Sequence, residues 1–384
     1  MAELNWKHSG RFFAAAFLMD FSAMMFIVAL PWLAASHGAT SIHQGMLGAL
    51  RAGIYVLFCL LAGLLVDRWN RRATATVAAI LTAAALALSA FAGSLWQVGG
   101  ATMLWGGMLA FFWPSMMAWM GDSHPREQLG RATSLFNVGW SIGSTAGGAI
   151  AGWLFQLHAK LPFLFAAMPP LLACAVLRVR TPRERTSPAP RVPPAPRRGD
   201  RRGLAAGWVG NGAACCLIGL MTTVFVEFGK EELGVTPLLF GVFVAALNVG
   251  RTLVFVSGLR GGARLRDWRI SAAIQVLAAA LVATVGFTSS HWWTGLAFGG
   301  VGIGAGAAYY LSLYRSLEGE GSRGRNAGLH EATLLGGLLI GSLGGGVIAH
   351  VWGLRAPYAV IGGLVALLVV VQVALNLSAQ RANC

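Results

Sequence analysis

The sequence predicts an all-α integral membrane protein made of two six-helix bundles that are related by pseudo-twofold symmetry. Three observations predict this fold class: an apolar composition, twelve apolar segments of spanning length, and weak duplication of one half by the other. Of the 384 residues, 56% are hydrophobic and 11% are charged, whereas soluble domains carry about 25% charged residues. A helix that crosses a bilayer needs about 20 apolar residues, and the chain is long enough for twelve such helices with short loops.

The predicted spans fall into two sets of six, separated by a polar segment. They cover about residues 11–36, 42–66, 73–94, 97–121, 129–157 and 161–177, and then 204–229, 236–259, 270–289, 292–315, 326–351 and 356–377. Between the sets, residues 178–202 hold nine arginines and six prolines, so we expect a solvated linker there. The predicted organisation is therefore one bundle at 1–177, the linker at 178–202, and a second bundle at 203–384.

The distribution of basic residues predicts the orientation of the spans. If the N-terminus is cytoplasmic, the inner segments hold 24 of the 29 lysines and arginines, and the outer loops hold three. Because basic residues concentrate in cytoplasmic loops, we expect both termini and the linker on the cytoplasmic side of the plasma (inner) membrane. This topology accounts for the net charge of +15, and no nucleic-acid partner is expected.

The two halves also repeat each other in residue spacing. Gly143 in predicted span 5 recurs 194 residues later as Gly337 in span 11, and Arg51 in span 2 recurs 200 residues later as Arg251 in span 8. Internal duplication of six-span units is typical of secondary transporters, whose substrate site lies near the membrane midplane.

Two segments resemble motifs of the major facilitator superfamily. Residues 63–72 read G-L-L-V-D-R-W-N-R-R, which is similar to the loop signature G-x-L-x-D-R-x-G-R-R. Asn70 replaces the second glycine, and asparagine tolerates the left-handed conformation expected in such a turn. Residues 139–148 read G-W-S-I-G-S-T-A-G-G, which resembles the G-x-x-x-G-P-x-x-G-G motif of the superfamily's proton-coupled exporters, with Ser144 in place of proline.

The resemblance implies that the loop signature acts as an inner gate. Its candidate residues are Gly63, Asp67, Arg68 and Arg71, and Asp122 at the end of span 4 is the candidate partner of Arg71. Ion pairs of this kind would hold one face of the transporter closed. The alternative is that the arginines are only a topology signal.

Four glycines form the second motif: Gly139, Gly143, Gly147 and Gly148. They remove side chains from one face of span 5, so that another helix can approach closely. Plain helix packing and an exporter motif are both consistent with this pattern.

Charges inside apolar spans are costly and mark candidate sites. Asp20 lies about ten residues, or ~15 Å, from the inner end of span 1, and Arg51 lies at a similar depth in span 2. Glu331 lies about eight residues, or ~12 Å, from the inner end of span 11, beside His330. Asp20 and Glu331 are the candidates for proton coupling. The alternative is two static ion pairs, Asp20 with Arg51 and Glu331 with Arg251.

Arg51 and Arg251 are also candidate substrate-binding residues, because a guanidinium offers a planar fork for carboxylates and oxyanions. Nitrate and nitrite carriers of the superfamily hold their anion between arginines in spans 2 and 8, although spans 5 and 11 here lack those carriers' asparagine-glycine signatures. The resemblance further implies that spans 4 and 10 line the cavity, which makes Trp113 and Tyr310 candidates.

Three functions remain open from the sequence. The leading hypothesis is a secondary active transporter that works by alternating access and exports a small organic solute in exchange for protons. The second is a carrier of an anionic solute clamped by Arg51 and Arg251, and the third is a membrane sensor that does not transport. Because no nucleophile–base set or metal-ligand spacing is present, we expect no enzyme activity, no metal and no cofactor.

The expected partners are the lipid bilayer, a small-molecule substrate and protons, and the expected state is a monomer. Glu227 stands close to Lys230, Glu231 and Glu232 near the outer end of span 7. We therefore expect Glu227 to be solvated.

Overall fold

The structure is a computed structural model that describes residues 6–65, 70–124, 126–178, 198–259, 263–318 and 323–383. Every regular element in these ranges is helical, which confirms the all-α prediction. The first six helices are α1 (Trp6–Ser36), α2 (Ser41–Leu65), α3 (Arg71–Ser89), α4 (Leu95–Ser123), α5 (Arg126–Leu157) and α6 (Leu161–Arg178).

The second half continues the helical pattern with two interruptions. Its helices are α7 (Arg198–Gly219), α8 (Phe225–Leu233), α9 (Pro237–Leu259), α10 (Ala263–Arg266), α11 (Trp268–Val285), α12 (His291–Glu318), α13 (Arg323–Leu339), α14 (Gly345–Trp352) and α15 (Ala356–Asn383). A π-helical turn, Leu220–Val224, joins α7 to α8, and a second, Ile340–Gly344, joins α13 to α14. Residues 179–197 of the predicted linker lie outside the described residues, and α7 begins at Arg198, within the range predicted for the linker.

Hydroxyl side chains accompany both π-helical turns. Thr222 donates to the carbonyl of Ile218 at 2.8 Å, and Ser342 donates to that of Leu338 at 2.7 Å. Each hydroxyl therefore bonds a carbonyl that the regular i→i−4 ladder also uses, which is a known cause of local helix distortion.

Ten helical segments in the described parts of the chain are long and apolar enough to cross a membrane. Helices α4 and α5 are not among them, although they have 29 and 32 residues and are therefore long enough. Glycine and polar residues lower the mean hydropathy of these two helices below that of the other predicted spans.

The chain forms two compact units. The first comprises Met1–Ala39, Leu50–Ala189 and Thr236–Asn248. Within it, α1 packs along α5 and α6, and α3 packs on α4 and α6. The second comprises Thr40–Ala49, Pro190–Val235 and Val249–Cys384.

Glycines in the first unit bring the backbones of α1 and α5 into direct contact. A Cβ atom on Gly139 would lie 2.7 Å from the carbonyl oxygen of Phe13. Cβ atoms on Gly143 and Gly147 would meet the carbonyl oxygens of Phe17 and Phe21 even more closely.

The second unit repeats this packing between α7 and α13. A Cβ atom on Gly337 would meet the carbonyl oxygen of Gly212, and one on Gly341 would meet that of Cys216. The 194-residue repeat in the sequence therefore corresponds to a repeated helix contact.

Short segments of α2 and α9 do not pack in the unit that holds the rest of their half of the sequence. The start of α2 belongs to the second unit, and the start of α9 belongs to the first. In the second unit, a Cβ on Gly45 at the start of α2 would lie 3.1 Å from the Cα of Gly346. In the first unit, a Cβ on Gly152 would lie 3.1 Å from the Cα of Gly241 at the start of α9. These glycine pairs allow both helices to begin against a partner from the other half of the sequence.

Asn70 adopts a conformation different from the expected one. It is extended, with φ −67° and ψ 109°, and its side chain caps α3 by accepting from the backbone N–H of Ala73 at 3.0 Å. Asparagine thus replaces the motif's glycine as a helix N-cap and not through a left-handed conformation.

Candidate functional site

Asp20 is positioned by the contact between α1 and α5. The glycine contacts bring the two backbones so close that a short side chain on α5 reaches α1. Ser144, which is fully buried, donates its hydroxyl to Oδ2 of Asp20. Ser144 occupies the proline position of the exporter-like motif, so this departure from the motif supplies a hydrogen-bond partner for the carboxylate.

Arg51 is half-buried in α2, in the same unit as Asp20. No hydrogen bond or ion pair joins these two side chains within the described residues. The alternative in which Asp20 and Arg51 form a static pair is therefore not present in this conformation.

The second unit holds a polar cluster around Glu331 of α13. Arg251 lies on α9 and Glu331 on α13, both in the second unit. Glu331 is half-buried.

His330 fixes the backbone next to Glu331. Its Nδ1 lies 2.8 Å from the hydroxyl of Ser312 on α12, and its carbonyl accepts from Nδ2 of Asn211 on α7 at 3.1 Å. The ring of Tyr309 packs against the His330 ring at 4.7 Å, edge to face. Ser312 and Asn211 are not among the site residues predicted from the sequence, where their only signal is that both are polar residues in apolar helices.

The two aromatic candidates lie in different units. Trp113 of α4 is half-buried and contacts Phe136 of α5 at a centroid distance of 5.7 Å. Tyr310 of α12 is half-buried and stacks on Tyr314 at 6.4 Å. Both rings therefore have aromatic neighbours within their own unit.

The gate candidates are only partly visible. Gly63 lies in α2 and Arg71 begins α3. Asp67 and Arg68 lie outside the described residues, as does the side chain of Asp122. Their gating role stays a prediction.

A cluster of charged and aromatic groups lies at the C-terminal end of α4. The predicted topology places this end on the cytoplasmic side of the membrane. The guanidinium of Arg11 lies 4.6 Å from the ring centroid of Trp119. Nearby, Ser9 Oγ lies 2.9 Å from Nε2 of His124. Burial, opposed by a hydrogen bond to the Met120 carbonyl, lowers the pKa of His124 below 6.5, and the charge of Arg11 lowers it further.

The expectation that Glu227 is solvated is wrong. Glu227 is half-buried and accepts a hydrogen bond from the hydroxyl of Ser41, which is 2% exposed. Ser41 belongs to the segment of α2 that packs in the second unit, so a distant part of the sequence covers the carboxylate.

Comparisons with known proteins identify the family. The sequence pattern of the Major Facilitator Superfamily matches residues 12–318. A segment of 124 residues is 30% identical to Multidrug resistance protein 1 of Bacillus subtilis (strain 168), covering 32% of each chain. The aligned segment thus spans about a third of that relative.

Solved structures show the same fold at low sequence identity. A bacterial homolog of the human lysosomal transporter Spinster, inward-facing and occupied, has a TM-score of 0.74 and 13% identity over 99% of this chain and 98% of its own. The peptide transporter POT in complex with sulfate gives 0.77 and 14% over 98% and 95%. The human organic anion transporter MFSD10 (TETRAN) gives 0.69 and 16% over 97% and 100%.

The family match covers most of the chain, and the structural matches extend over nearly all of it. The chain therefore belongs to the Major Facilitator Superfamily, and it is a multi-pass membrane transporter and not an enzyme.

Proposed function

We propose that this transporter exports a small organic solute in exchange for protons, by alternating access. The observation that carries the proposal is the Asp20 carboxylate near the middle of α1, held by the Ser144 hydroxyl of α5. A carboxylate at this depth is costly unless it serves a function or is compensated.

The chemistry of the Ser144 contact suits a group that gains and loses a proton. A serine hydroxyl is both a donor and an acceptor. When Asp20 is ionised, Ser144 donates to it; when Asp20 is protonated, the carboxylic acid donates to the Ser144 oxygen. The same two atoms therefore stay bonded in both protonation states, with the direction of the bond reversed.

Export is supported by similarity over one segment. Multidrug resistance protein 1 is 30% identical over 124 residues, and the exporter-like motif lies at Gly139–Gly148. These observations favour outward movement of an organic solute over uptake.

The experiment that tests the proposal is transport in proteoliposomes with an imposed proton gradient. A panel of organic cations, neutral solutes and anions identifies a substrate for the wild type. Asp20→Asn should then lose gradient-driven transport and keep exchange of labelled for unlabelled substrate, because it cannot carry the proton. Ser22→Ala is the matched control, since Ser22 is also buried on α1 but donates to the Ala166 carbonyl at 2.6 Å.

Full gradient-driven transport by Asp20→Asn would remove Asp20 from the mechanism, and Glu331→Gln would be the next variant. If the wild type moves no solute of the panel, whichever direction the proton gradient is imposed in, the non-transporting sensor becomes the better hypothesis.

A second candidate function is transport of an organic or inorganic anion, favoured by the state of Arg51. Within the described residues this half-buried guanidinium forms no ion pair with Asp20, so its charge is available to a substrate. Arg51→Lys should then raise the apparent KM for anions, because an ammonium cannot form the bidentate contact. An unchanged KM would exclude Arg51 from the binding site.

The orientation is a proposal as well. We expect the termini and residues 178–202 to be cytoplasmic in the inner membrane, because nine arginines resist translocation. Pro193→Cys should remain unlabelled by an impermeant thiol reagent in intact cells and become labelled after lysis. Labelling in intact cells would reverse the topology.

A further inference from the structure

A groove of about 600 Å³ runs between α3 and α4 in the first unit, and Asp20 is not part of its lining. Its lining includes Asn70, the N-cap of α3, with Ala73, Thr74, Val77 and Leu81 of α3 and Phe111 of α4. The two polar members, Asn70 and Thr74, lie at one end, and the rest of the lining is apolar. The groove is open to the surroundings, since Val77 is 55% and Leu81 is 41% exposed.

The length of the groove matches one leaflet of a bilayer. Asn70 and Leu81 are eleven residues apart, which corresponds to ~16 Å along a helix. The hydrocarbon core of a bilayer is about 30 Å thick, so one leaflet contributes about 15 Å. Because α3 is one of the helices suited to span the membrane, the groove reaches from the surface to about mid-depth.

Basic residues stand beside the polar end of the groove, outside its lining. Arg71 and Arg72 follow Asn70 directly, and both side chains are half-buried. The guanidinium of Arg72 lies 5.9 Å from the ring centroid of Trp119, which holds it against α4. The side chain of Asn70 uses Oδ1 to cap α3, and its Nδ2 group carries two further donors.

We propose that this groove binds one phospholipid with an anionic headgroup. One acyl chain lies along the apolar lining from Ala73 to Leu81, and the phosphate lies at Arg72 and the Nδ2 group of Asn70. The acyl chain fits the depth and the apolar lining of the groove. The anionic headgroup is complementary to the positive charge of the arginines beside Asn70.

The test measures which lipid the purified transporter retains. The wild type is incubated with equal amounts of phosphatidylglycerol and phosphatidylcholine that have the same acyl chains, and retained lipid is counted by native mass spectrometry. We expect a preference for phosphatidylglycerol. Ala73→Trp, which fills the groove, should lose the retained lipid, whereas Leu88→Trp should keep it. Leu88 is 60% exposed on the same helix and does not line the groove.

The headgroup contact is tested separately by charge removal. Arg72→Gln should reduce phosphatidylglycerol retention about fivefold, the effect of about 1 kcal/mol for one basic residue at a membrane surface. Arg269→Gln is the matched control, because Arg269 is an exposed arginine in the first turn of α11. The comparison of Arg72→Gln with Arg269→Gln also tests the proposal if Ala73→Trp does not fold.

Three results would overturn the proposal. The first is equal retention of both lipids by the wild type, and the second is undiminished retention by folded Ala73→Trp. The third is an equal loss in Arg72→Gln and Arg269→Gln, which would mean that any surface arginine attracts the lipid.

Discussion

Replacing Gly139 by alanine should destabilise the transporter, whereas replacing Gly53 should not. Gly139 lies on the α5 face that contacts α1, where a new Cβ would be 2.7 Å from the Phe13 carbonyl oxygen. Gly53 lies inside α2, and a Cβ there would meet nothing within 4 Å. The two substitutions add the same methyl group to helices of the same unit.

The magnitude follows from the distance. Ordinary van der Waals contact begins near 3.4 Å, so Gly139→Ala forces the two backbones apart by about 0.7 Å. Overpacking of this kind costs about 1–3 kcal/mol. Alanine gains up to about 1 kcal/mol over glycine in a helix interior, so Gly53→Ala is expected to stabilise slightly. The difference between the two variants, about 1–3 kcal/mol, isolates the cost of separating α1 and α5.

The assay is thermal unfolding in detergent, followed by the fluorescence of the 14 tryptophans. Gly139→Ala should melt below the wild type and Gly53→Ala at or above it. If both variants melt at the same temperature, then the α1–α5 contact tolerates a side chain, and the close packing of these helices does not set the stability.

Three further predictions concern single side chains. Ser144→Ala should lower gradient-driven transport and destabilise the protein by about 1.5–3 kcal/mol, the range for a hydrogen bond to a charged group; Ser144→Thr, which keeps the hydroxyl, should retain more transport, and equal activity of the two variants would argue against the bond. Because His124 has a folded-state pKa below its unfolded value of 6.5, the unfolded state binds the proton more readily, so stability should fall as the pH falls below 6.5 and through the folded-state pKa. His124→Gln should flatten melting temperature against pH in this window, and an unchanged slope would exclude His124. Asp67→Asn should slow transport without lowering the melting temperature, since the gate hypothesis gives Asp67 a closing contact; wild-type rates would contradict that hypothesis.

The sequence was sufficient for the fold class and for the repeat. Spanning segments are defined by composition, and the glycine spacing that predicts close packing requires no knowledge of neighbouring helices. The 194-residue offset between Gly143 and Gly337 corresponds to the same backbone contact in each unit.

Side-chain partners were harder to predict, because sequence position gives the depth of a residue and not its rotation about the helix axis. The sequence predicts similar depths for Asp20 and Arg51, yet Ser144 on α5 is a partner of Asp20. The charged neighbours of Glu227 predict a solvated side chain, but Ser41 approaches it from a segment 186 residues away.

The assignment of Thr236–Asn248 to the first unit has a consequence for the order in which the protein is made. After Ala189 emerges, the ribosome adds 59 residues before Asn248 is complete. At roughly 5–20 residues per second, this takes about 3–12 s. Until then, the surface of α5 around Gly152 lacks the helix that covers it in the finished protein, and the insertion machinery or lipid must cover it. A transcript cut at the linker would leave that surface bare permanently, so the N-terminal half should need the second half supplied in trans to complete its fold.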